Sequence, residues 1–379
     1  MPSAQPRKGF EVAAWMDRAG GAVERHPSWW IKLGSIETGL VDGTLPPRID
    51  RPIYVTGLAR SGTTILLETL AHHPDVGTHR YRDFPFLFTP YLWNRWLDLV
   101  PRREEQPVER SHGDGIAVTS ESPEAFEEML WAAFFADRHA PSVSAILDRS
   151  THNPAFERFY RNHIRKLLAV RAGRRYVAKG NYNLTRIGYL AKLFPDARFV
   201  IPVRDPVWHV ASLMKQHRLF LDGQRDNPRA QRHLRRVGHF EFGRDRQPVN
   251  VGDTGATADI LDLWRAGEEV RGWARYWSLV HNYIAGLIST DAALRRAIRV
   301  VRYEDLCATP RPVMASLLEH CGLPDSPGFL ANAAARFHQP TYYRPDFKAS
   351  EIAIIADETA AAARLFGYDS AAALRQSAQ

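Results

Sequence analysis

Residues 51–70 read RPIYVTGLARSGTTILLETL, and this stretch decides the fold of the chain. The β-branched and aromatic residues from Ile53 to Thr56 predict a short buried strand that ends at Gly57. From Thr63 onward the apolar residues recur at helical spacing, so a helix follows the loop. The loop N–H groups and the helix dipole then point to one place, which suits a phosphate or sulfate oxygen. We therefore predict an anion cradle; an ordinary glycine-containing turn between strand and helix is the alternative.

The spacing of the cradle, Gly57-x4-Gly62-Thr63-Thr64, is nearly that of the phosphate-binding loop of NTPases. That motif requires a lysine where Thr63 stands, because the lysine reaches the β- and γ-phosphates. The positive charge lies instead inside the loop, at Arg60. The loop is therefore poorly suited to cleaving ATP or GTP. It is better suited to holding a leaving group that contains a 5′-phosphate.

The composition indicates a globular core and excludes some partners. The chain has 379 residues, of which 45% are hydrophobic and 11% aromatic, so one large α/β domain or two ordinary ones are possible. Arginine carries most of the positive charge behind the net charge of +8. No run of five basic residues and no nucleic-acid-binding motif occurs, so we predict no nucleic-acid partner.

Cysteine content and hydropathy bear on the compartment. The two cysteines, Cys307 and Cys321, predict neither a disulfide framework nor a metal site. The N-terminus lacks the apolar core of a signal peptide, and no segment approaches about 18 consecutive apolar residues. We therefore predict a cytoplasmic protein that has no transmembrane segment and binds no metal.

The chain divides into a predicted arm, a domain and an insertion. Residues 1–50 predict a short helical arm that a proline-rich connection joins to the domain at 51–379. Residues 222–259 are rich in Arg, Gly, Asp and Asn, which is typical of a long insertion, flexible or functional. The arginines of this insertion could meet an acidic acceptor, or they form a solvated face or an oligomer contact; they are Arg225, Arg229, Arg232, Arg235 and Arg236.

Basic side chains follow two further predicted strands at their carboxyl ends. Residues 175–178 predict a strand followed by Lys179, and residues 197–203 predict a strand followed by Arg204. Ligands of open α/β sheets bind at these ends, and Ser212 lies where it could reach the same phosphate as Arg204. A surface lysine and a common Arg-Asp-Pro turn are the alternatives. With a fourth strand at 298–303, we predict an α/β fold: a P-loop-type parallel sheet flanked by helices, as a single domain with helical insertions.

One acidic residue near the predicted mouth of the cradle is a candidate general base. Asp83 follows two arginines and precedes an aromatic segment, a setting in which a carboxylate can take a proton. The alternative is that Asp83 caps a helix or pairs with an arginine.

Four blocks, in this order, resemble the sulfotransferases that use 3′-phosphoadenosine 5′-phosphosulfate (PAPS). The blocks are GLARSGTT at 57–64, VAKGNYN at 177–183, FPDARFVIPVRDPVWHVAS at 194–212 and VRYEDLCATPRPVMASLLEHCGLP at 301–324. An arginine at position 60 is more similar to bacterial and Golgi-type members than to vertebrate cytosolic ones. The Lys179 block and the ending LFGYD resemble the tyrosylprotein sulfotransferases in particular.

The resemblance implies roles for residues that match the family's motifs. It implies that Arg204 and Ser212 hold the 3′-phosphate of the nucleotide and that Lys179 assists the sulfuryl group. The family's base is a histidine or a glutamate, and the matching loop here offers Asp83, with His79 as second choice. The implied 5′-phosphosulfate-binding residues are Arg60, Ser61, Gly62, Thr63 and Thr64. For the loop that closes over the nucleotide, the candidates are Tyr343, Arg344 and Lys348.

The implied reaction is an in-line displacement that moves a sulfuryl group from PAPS, without a metal, to an unidentified acceptor. The acceptor's hydroxyl or amine could belong to a sugar, a lipid, a peptide or a small molecule. Two alternatives remain open, a P-loop kinase or NTPase and a non-catalytic nucleotide-binding protein. The residue at position 63 argues against the kinase, and the set Arg60, Arg204 and Ser212 argues against the non-catalytic protein.

Overall fold

The computed structural model describes residues 9–101, 105–110, 113, 116–326, 328–339 and 344–368. In these ranges the strands are β1 (Ile53–Val55), β2 (Val76–Gly77), β3 (Val108–Glu109), β4 (Ala117–Val118), β5 (Arg175–Lys179), β6 (Arg198–Val203) and β7 (Ile298–Arg302). The α-helices are α1 (Ala14–Arg25), α2 (Pro27–Val41), α3 (Thr63–Ala71), α4 (Pro90–Leu99), α5 (Glu127–Phe134), α6 (Pro154–Arg171), α7 (Ile187–Leu193), α8 (Pro206–Gln224), α9 (Pro228–Arg236), α10 (Thr254–Arg265), α11 (Glu269–Thr290), α12 (Ala292–Ala297), α13 (Tyr303–Ala308), α14 (Pro310–Cys321), α15 (Phe329–Ala334) and α16 (Ala349–Leu365). None of these helices is long and apolar enough to span a membrane.

Five of the described strands form one parallel sheet in the spatial order β2-β5-β1-β6-β7. The central strand is β1, whose last residue, Val55, lies opposite Lys179 on β5 and Val200 on β6. The chain that leaves β1 therefore emerges between the carboxyl ends of two neighbouring strands. In open α/β sheets this is where ligands bind.

The residues of β1 alternate between two hydrophobic cores, one on each face of the sheet. Tyr54 packs with Phe199 and Tyr176, at ring-centroid distances of 5.6 Å and 6.4 Å, in the core that also holds residues of α6 and α11. Ile53 and Val55 enter the second core, with residues of α3 and α14. Helices thus cover both faces, and the predicted α/β fold with a parallel sheet flanked by helices is confirmed.

The N-terminal region contains more helix than the sequence predicted. The predicted proline-rich connection is wrong for residues 27–41, because Pro27 stands at the first position of α2 rather than in a linker. Glu37 of α2 forms a buried ion pair with Lys166 of α6, at 2.7 Å, with both side chains 1% exposed. The arm is thereby fixed to the sheet's helices, while the division into 1–50 and 51–379 stays a prediction.

The polar insertion is folded. Its residues form the end of α8, then α9, a 3-10 turn at Gly243–Asp245 and the start of α10. Most of its arginines form ion pairs within the chain: Arg232 and Arg236 both contact Asp17 of α1, at 2.8 Å and 3.2 Å. These two arginines therefore do not contact an acidic acceptor. They join the insertion to the N-terminal arm instead.

Candidate functional site

The loop between β1 and α3, residues 57–62, has the backbone shape that an anion cradle requires. Gly57 and Gly62 have positive φ angles of 153° and 109°, and Arg60 has a φ of 71°. These angles let the chain turn sharply into α3, so that loop amides gather near the helix N-terminus. Ser61 is buried, and its hydroxyl oxygen has no hydrogen-bond partner among the residues that the structure describes. A buried, unsatisfied hydroxyl in such a loop fits a bound anion.

Helix α8 is joined to the cradle by two side-chain contacts. The Nε of Arg60 donates to the Oγ of Ser212 at 3.3 Å, which brings two predicted site residues together. His209 Nε2 lies 2.8 Å from the carbonyl oxygen of Ala59, and its Nδ1 accepts from the Trp277 indole at 3.1 Å. His209 must therefore be neutral with the proton on Nε2. Its pKa agrees, because burial and nearby basic groups lower it well below the usual value.

Tyr303, to which the sequence analysis assigned no role, packs against the cradle loop. A Cβ atom on Gly62 would lie 2.7 Å from the Tyr303 ring, so the ring packs directly against the loop. The guanidinium of Arg204, at the end of β6, lies 5.0 Å from the centroid of the same ring, a cation–π distance. Tyr303 thus connects the cradle to the predicted 3′-phosphate residue. The only sequence signal for it is its place within the fourth of the resembling blocks.

Strand β5 places Lys179 beside the cradle. Two residues later, the side chain of Asn181 accepts from Thr63 Oγ1 at 3.4 Å and donates to Glu241 at 2.8 Å. Burial lowers the pKa of Lys179, while the carboxylates of Glu124 and Glu241 oppose that shift. Lys179 is therefore half-buried and electrostatically coupled to two carboxylates, and it lies opposite Val55, the last residue of β1 before the loop.

A cavity of about 320 Å³ is lined in part by Lys179. Its walls come from six parts of the chain: the N-terminal arm, the turn at 81–84, the antiparallel strands β3 and β4, the segment at 124–128, the loop after β5, and α9 with the loop that follows. Lys179 and Asn181 line this cavity, and Asn181 also contacts the cradle. Asn181 therefore joins the predicted anion cradle to a cavity that Lys179 also lines, and the size of this cavity suits a small-molecule ligand.

Glu124 is the second functional candidate that the sequence analysis missed. It lines the cavity, is half-buried, and accepts from the amide of Ala125 at 2.6 Å. Burial raises the pKa of Glu124, but the net shift is downward. The groups that lower this pKa are the Lys179 ammonium, the Ala125 amide, the Tyr81 hydroxyl and the charge of Arg110. Glu124 is therefore ionised at neutral pH and electrostatically coupled to Lys179. Its only sequence signal is the glutamate-rich run at 121–128 in a basic chain.

The structure places the predicted general base, Asp83, outside the lining of the cavity. Asp83 is fully buried, forms an ion pair with Arg171, accepts from Asn94 at 2.9 Å, and does not line the cavity. Burial raises the pKa of Asp83, but the hydrogen bond from His79 and the charge of Arg171 outweigh it and lower the pKa far below the usual range. Asp83 thus has the alternative role, a carboxylate paired with an arginine.

His79, the second choice, is enclosed in the same buried network. Its Nδ1 lies 3.3 Å from Asp83, and its Nε2 lies 3.0 Å from Nε2 of His163. Burial, followed by the charge of His79, lowers the pKa of His163 well below its usual value. Both ring nitrogens of His79 are engaged inside the protein, so neither is directed at the cavity.

The residues proposed to close over the nucleotide are only partly described. Tyr343 lies outside the described residues. Arg344 is exposed on the segment before α16, and Lys348 is the residue that precedes this helix, where its amide donates to Glu351 at 2.8 Å. A role for Arg344 in nucleotide binding stays a prediction.

The chain belongs to the sulfotransferase family. The family model described as "Sulfotransferase family" matches residues 52–246, just over half of the chain. The matched range begins at the strand before the cradle and ends in the insertion, so it contains the loop, Lys179, Arg204 and Ser212. The family identifies the chain as a transferase of sulfuryl groups. No curated protein sequence matches the chain.

Several solved structures are similar in their overall arrangement. Sulfotransferase STF9 from Mycobacterium avium is 16% identical, with 93% of this chain and 82% of that chain covered at a TM-score of 0.49. Sulfotransferase STF1 from Mycobacterium tuberculosis H37Rv is 18% identical, covering 87% and 81% at a TM-score of 0.45. A sulfotransferase from Alicyclobacillus acidocaldarius is 17% identical, covering 86% and 99% at 0.37.

Proposed function

We propose that this protein moves a sulfuryl group from PAPS to a hydroxyl or amine of an acceptor by in-line displacement. The observation that carries the proposal is the position of Lys179 and Asn181. Both line the cavity, and Asn181 contacts the N-terminus of α3. A transferase needs a donor site and an acceptor site that meet at the transferring group, and this position satisfies that requirement.

The donor would be held by the predicted residues. The cradle at 60–64 would bind the 5′-phosphosulfate through the loop amides, the Ser61 hydroxyl and the Arg60 guanidinium. Arg204 and Ser212 would bind the 3′-phosphate, and the Arg60–Ser212 contact at 3.3 Å supports a shared site for the two groups. Thr63 stands in place of the lysine that an NTPase requires, which favours a phosphosulfate over a nucleoside triphosphate.

PAPS supplies the sulfuryl group. The chain supplies the positive charges that stabilise the leaving group and the base that takes the acceptor's proton. Lys179 and Arg60 stabilise the negative charge that grows on the oxygen bridging phosphorus and sulfur as its bond to sulfur breaks. Asn181 orients the N-terminus of α3 relative to the cavity. The bond that forms joins sulfur to the acceptor oxygen or nitrogen, and 3′-phosphoadenosine 5′-phosphate (PAP) leaves.

We propose Glu124 as the general base that takes the acceptor's proton. It lines the cavity and is coupled to Lys179, whereas Asp83 and His79 do not line the cavity. Replacing Glu124 with Gln is expected to lower kcat roughly 100-fold or more, because general base catalysis contributes about 10²–10⁴, with PAP affinity unchanged. The matched control is Glu109→Gln, which removes an exposed carboxylate of the same cavity. Full activity in Glu124→Gln would place the base elsewhere.

The proposed donor is tested by calorimetric binding of PAP and ADP, both in EDTA. Tight binding that requires the 3′-phosphate and no metal supports PAPS as donor. Binding of ADP or ATP only with Mg²⁺ overturns the proposal and favours the kinase. If PAP binds but PAPS is never consumed with any acceptor, the non-catalytic alternative holds.

A further inference from the structure

The size and the lining of the cavity beside Lys179 limit which acceptors can bind there. We propose that the acceptor is a compact, uncharged molecule whose apolar body bears the reacting hydroxyl or amine, and that anionic acceptors and polymer chains are excluded. This inference rests on the proposed function, because it takes the cavity to be the acceptor site.

The size of the cavity limits the acceptor. Its volume of about 320 Å³ is at the small end of the range of roughly 300–1,000 Å³ that small-molecule sites occupy. The N-terminal arm forms one of the walls, and its Phe10 is 3% exposed, packed edge-on against Phe220 at 5.2 Å. The Phe10 carbonyl accepts from Asn227 at 3.0 Å, so this wall is fixed to the insertion. A polypeptide or polysaccharide segment would have to displace the wall.

The walls of the cavity favour an apolar body. Apolar side chains from four of its six parts are Val12 and Met16, Phe84, Phe126, and Leu234 and Val237. His233, between them on α9, lies edge-on to Phe84 at 5.1 Å. Burial, followed by the charge of Arg236, lowers the pKa of His233 to about 4, so this side chain is uncharged at neutral pH. These side chains give the cavity a large apolar lining.

Among the residues that the structure describes, the cations that line the cavity are already engaged by carboxylates. The lining carboxylates outnumber the lining lysine and arginine side chains, six against two: Glu11, Glu109, Glu124, Glu127, Glu128 and Glu241 against Lys179 and Arg110. Both cations act on the pKa of Glu124, and Lys179 is also coupled to Glu241. Of the six carboxylates, Glu128 is paired with Arg186 at 2.6 Å. A carboxylate or phosphate on the acceptor would face the remaining like charges beside cations that are already engaged, which is costly in a cavity.

A matched pair of probe acceptors tests whether a negative charge on the acceptor prevents binding and turnover. We would measure PAPS turnover, and calorimetric binding in the presence of PAP, for 2-naphthol, for the alicyclic alcohol borneol, and for 6-hydroxy-2-naphthoate, which adds one carboxylate to 2-naphthol. A peptide that contains a tyrosine serves as the polymer. The proposal expects binding of at least one uncharged probe and a kcat/KM for the carboxylate at least about 100-fold below that of 2-naphthol, as expected for an uncompensated charge. Preference for the carboxylate or the peptide, or no binding of either uncharged probe, overturns it.

A pair of variants tests whether the acceptor binds in this cavity. Val237→Trp places an indole at the cavity wall and is expected to weaken binding of the uncharged probe at least tenfold with the affinity for PAP unchanged. Arg229→Trp is the control, because Arg229 is exposed on α9, the helix that Val237 directly follows, and does not line the cavity. Equal probe affinity in both variants would show that the cavity is not the acceptor site. If the unmodified protein did not bind PAP, the proposed function would be refuted. The comparison of probe binding between the two variants would still decide whether the cavity is the acceptor site.

Discussion

Asp83 and Arg171 form an ion pair that is almost completely removed from solvent, with side chains 0% and 3% exposed. Removing one member of such a pair leaves the other charge buried without compensation. We therefore expect Asp83→Asn to lower the free energy of unfolding by about 3–5 kcal/mol, measured by chemical denaturation at neutral pH. In Asp98→Asn, which removes a carboxylate that is 43% exposed and pairs with Arg82, the loss should stay below about 1 kcal/mol. If Asp83→Asn were fully stable but inactive, Asp83 would again be the candidate base.

The same ion pair predicts a dependence of stability on pH. The pKa of Asp83 is lowered in the folded protein relative to about 3.9 in the unfolded chain. A lowered pKa stabilises the fold fully above the unfolded value, and this contribution is lost as the pH falls toward the folded value. The difference in unfolding free energy between the unmodified protein and Asp83→Asn should therefore be constant above about pH 5 and shrink below about pH 4. A difference that grew on acidification would contradict this.

Arg60 is expected to act mainly in the transition state. Its guanidinium lies in the cradle, where charge grows on the leaving oxygen, so it contributes more there than in the ground state. Arg60→Ala should lower kcat by at least about tenfold more than it weakens PAP binding. Steady-state kinetics and calorimetry give the two numbers. Equal losses in both would make Arg60 a binding residue only.

At the scale of the element, the N-terminus of α3 depends on Gly62. An alanine there would adopt a φ of 109° and bring its Cβ to 2.7 Å from the Tyr303 ring. We expect Gly62→Ala to destabilise the protein by about 1–3 kcal/mol from the backbone alone, and to weaken PAP binding. In a Tyr303→Leu background the loss should be smaller but not zero, because the backbone strain remains while the contact is gone.

Gly286 on α11 provides the control for that substitution. A Cβ at this position would meet no atom within 4 Å, and the residue lies inside a helix. Gly286→Ala should therefore stabilise the protein by roughly 0.5–1 kcal/mol. If Gly62→Ala behaved like Gly286→Ala, the cradle would tolerate a side chain, and its geometry would not depend on glycine.

At the scale of the whole molecule, the arm and the insertion close the cavity together. Arg236 of the insertion is 5% exposed and pairs with Asp17 and Glu24 of α1, whereas Arg232 pairs with Asp17 but is 52% exposed. We expect Arg236→Met to speed hydrogen exchange of the α1 amides and to raise the KM for the acceptor roughly tenfold, equivalent to about 1.4 kcal/mol. PAP affinity should not change, and Arg232→Met should have little effect. Identical behaviour of the two variants would mean that the arm is held by other contacts.

The parts of the site that were predictable lie on continuous stretches. The cradle, Lys179 and Arg204 each follow a strand that its β-branched and aromatic residues reveal, and parallel strands bring their carboxyl ends to one edge. The two-residue strand β2 was missed because its pairing with β5, not its own sequence, makes it a strand. The helix α2 was missed because its proline was interpreted as a linker signal.

The carboxylate that we propose as the base could not be identified from the sequence in the same way. In the sequence, Asp83 and Glu124 are both carboxylates near aromatic residues, and nothing local distinguishes them. The tertiary structure buries Asp83 against Arg171 of α6 and places Glu124 in the cavity with Lys179. The two carboxylates differ only through residues that are distant in the chain.

The sequence by itself determined the parallel sheet, the cradle and the family, because local periodicity, glycine conformation and motif spacing are properties of neighbouring residues. Only the tertiary structure decided which carboxylate meets Lys179, which tyrosine supports the cradle, and which segments enclose the cavity. Those outcomes depend on burial and on charges brought together by folding, since solvent exclusion and long-range pairing fix the pKa and the accessibility of each group.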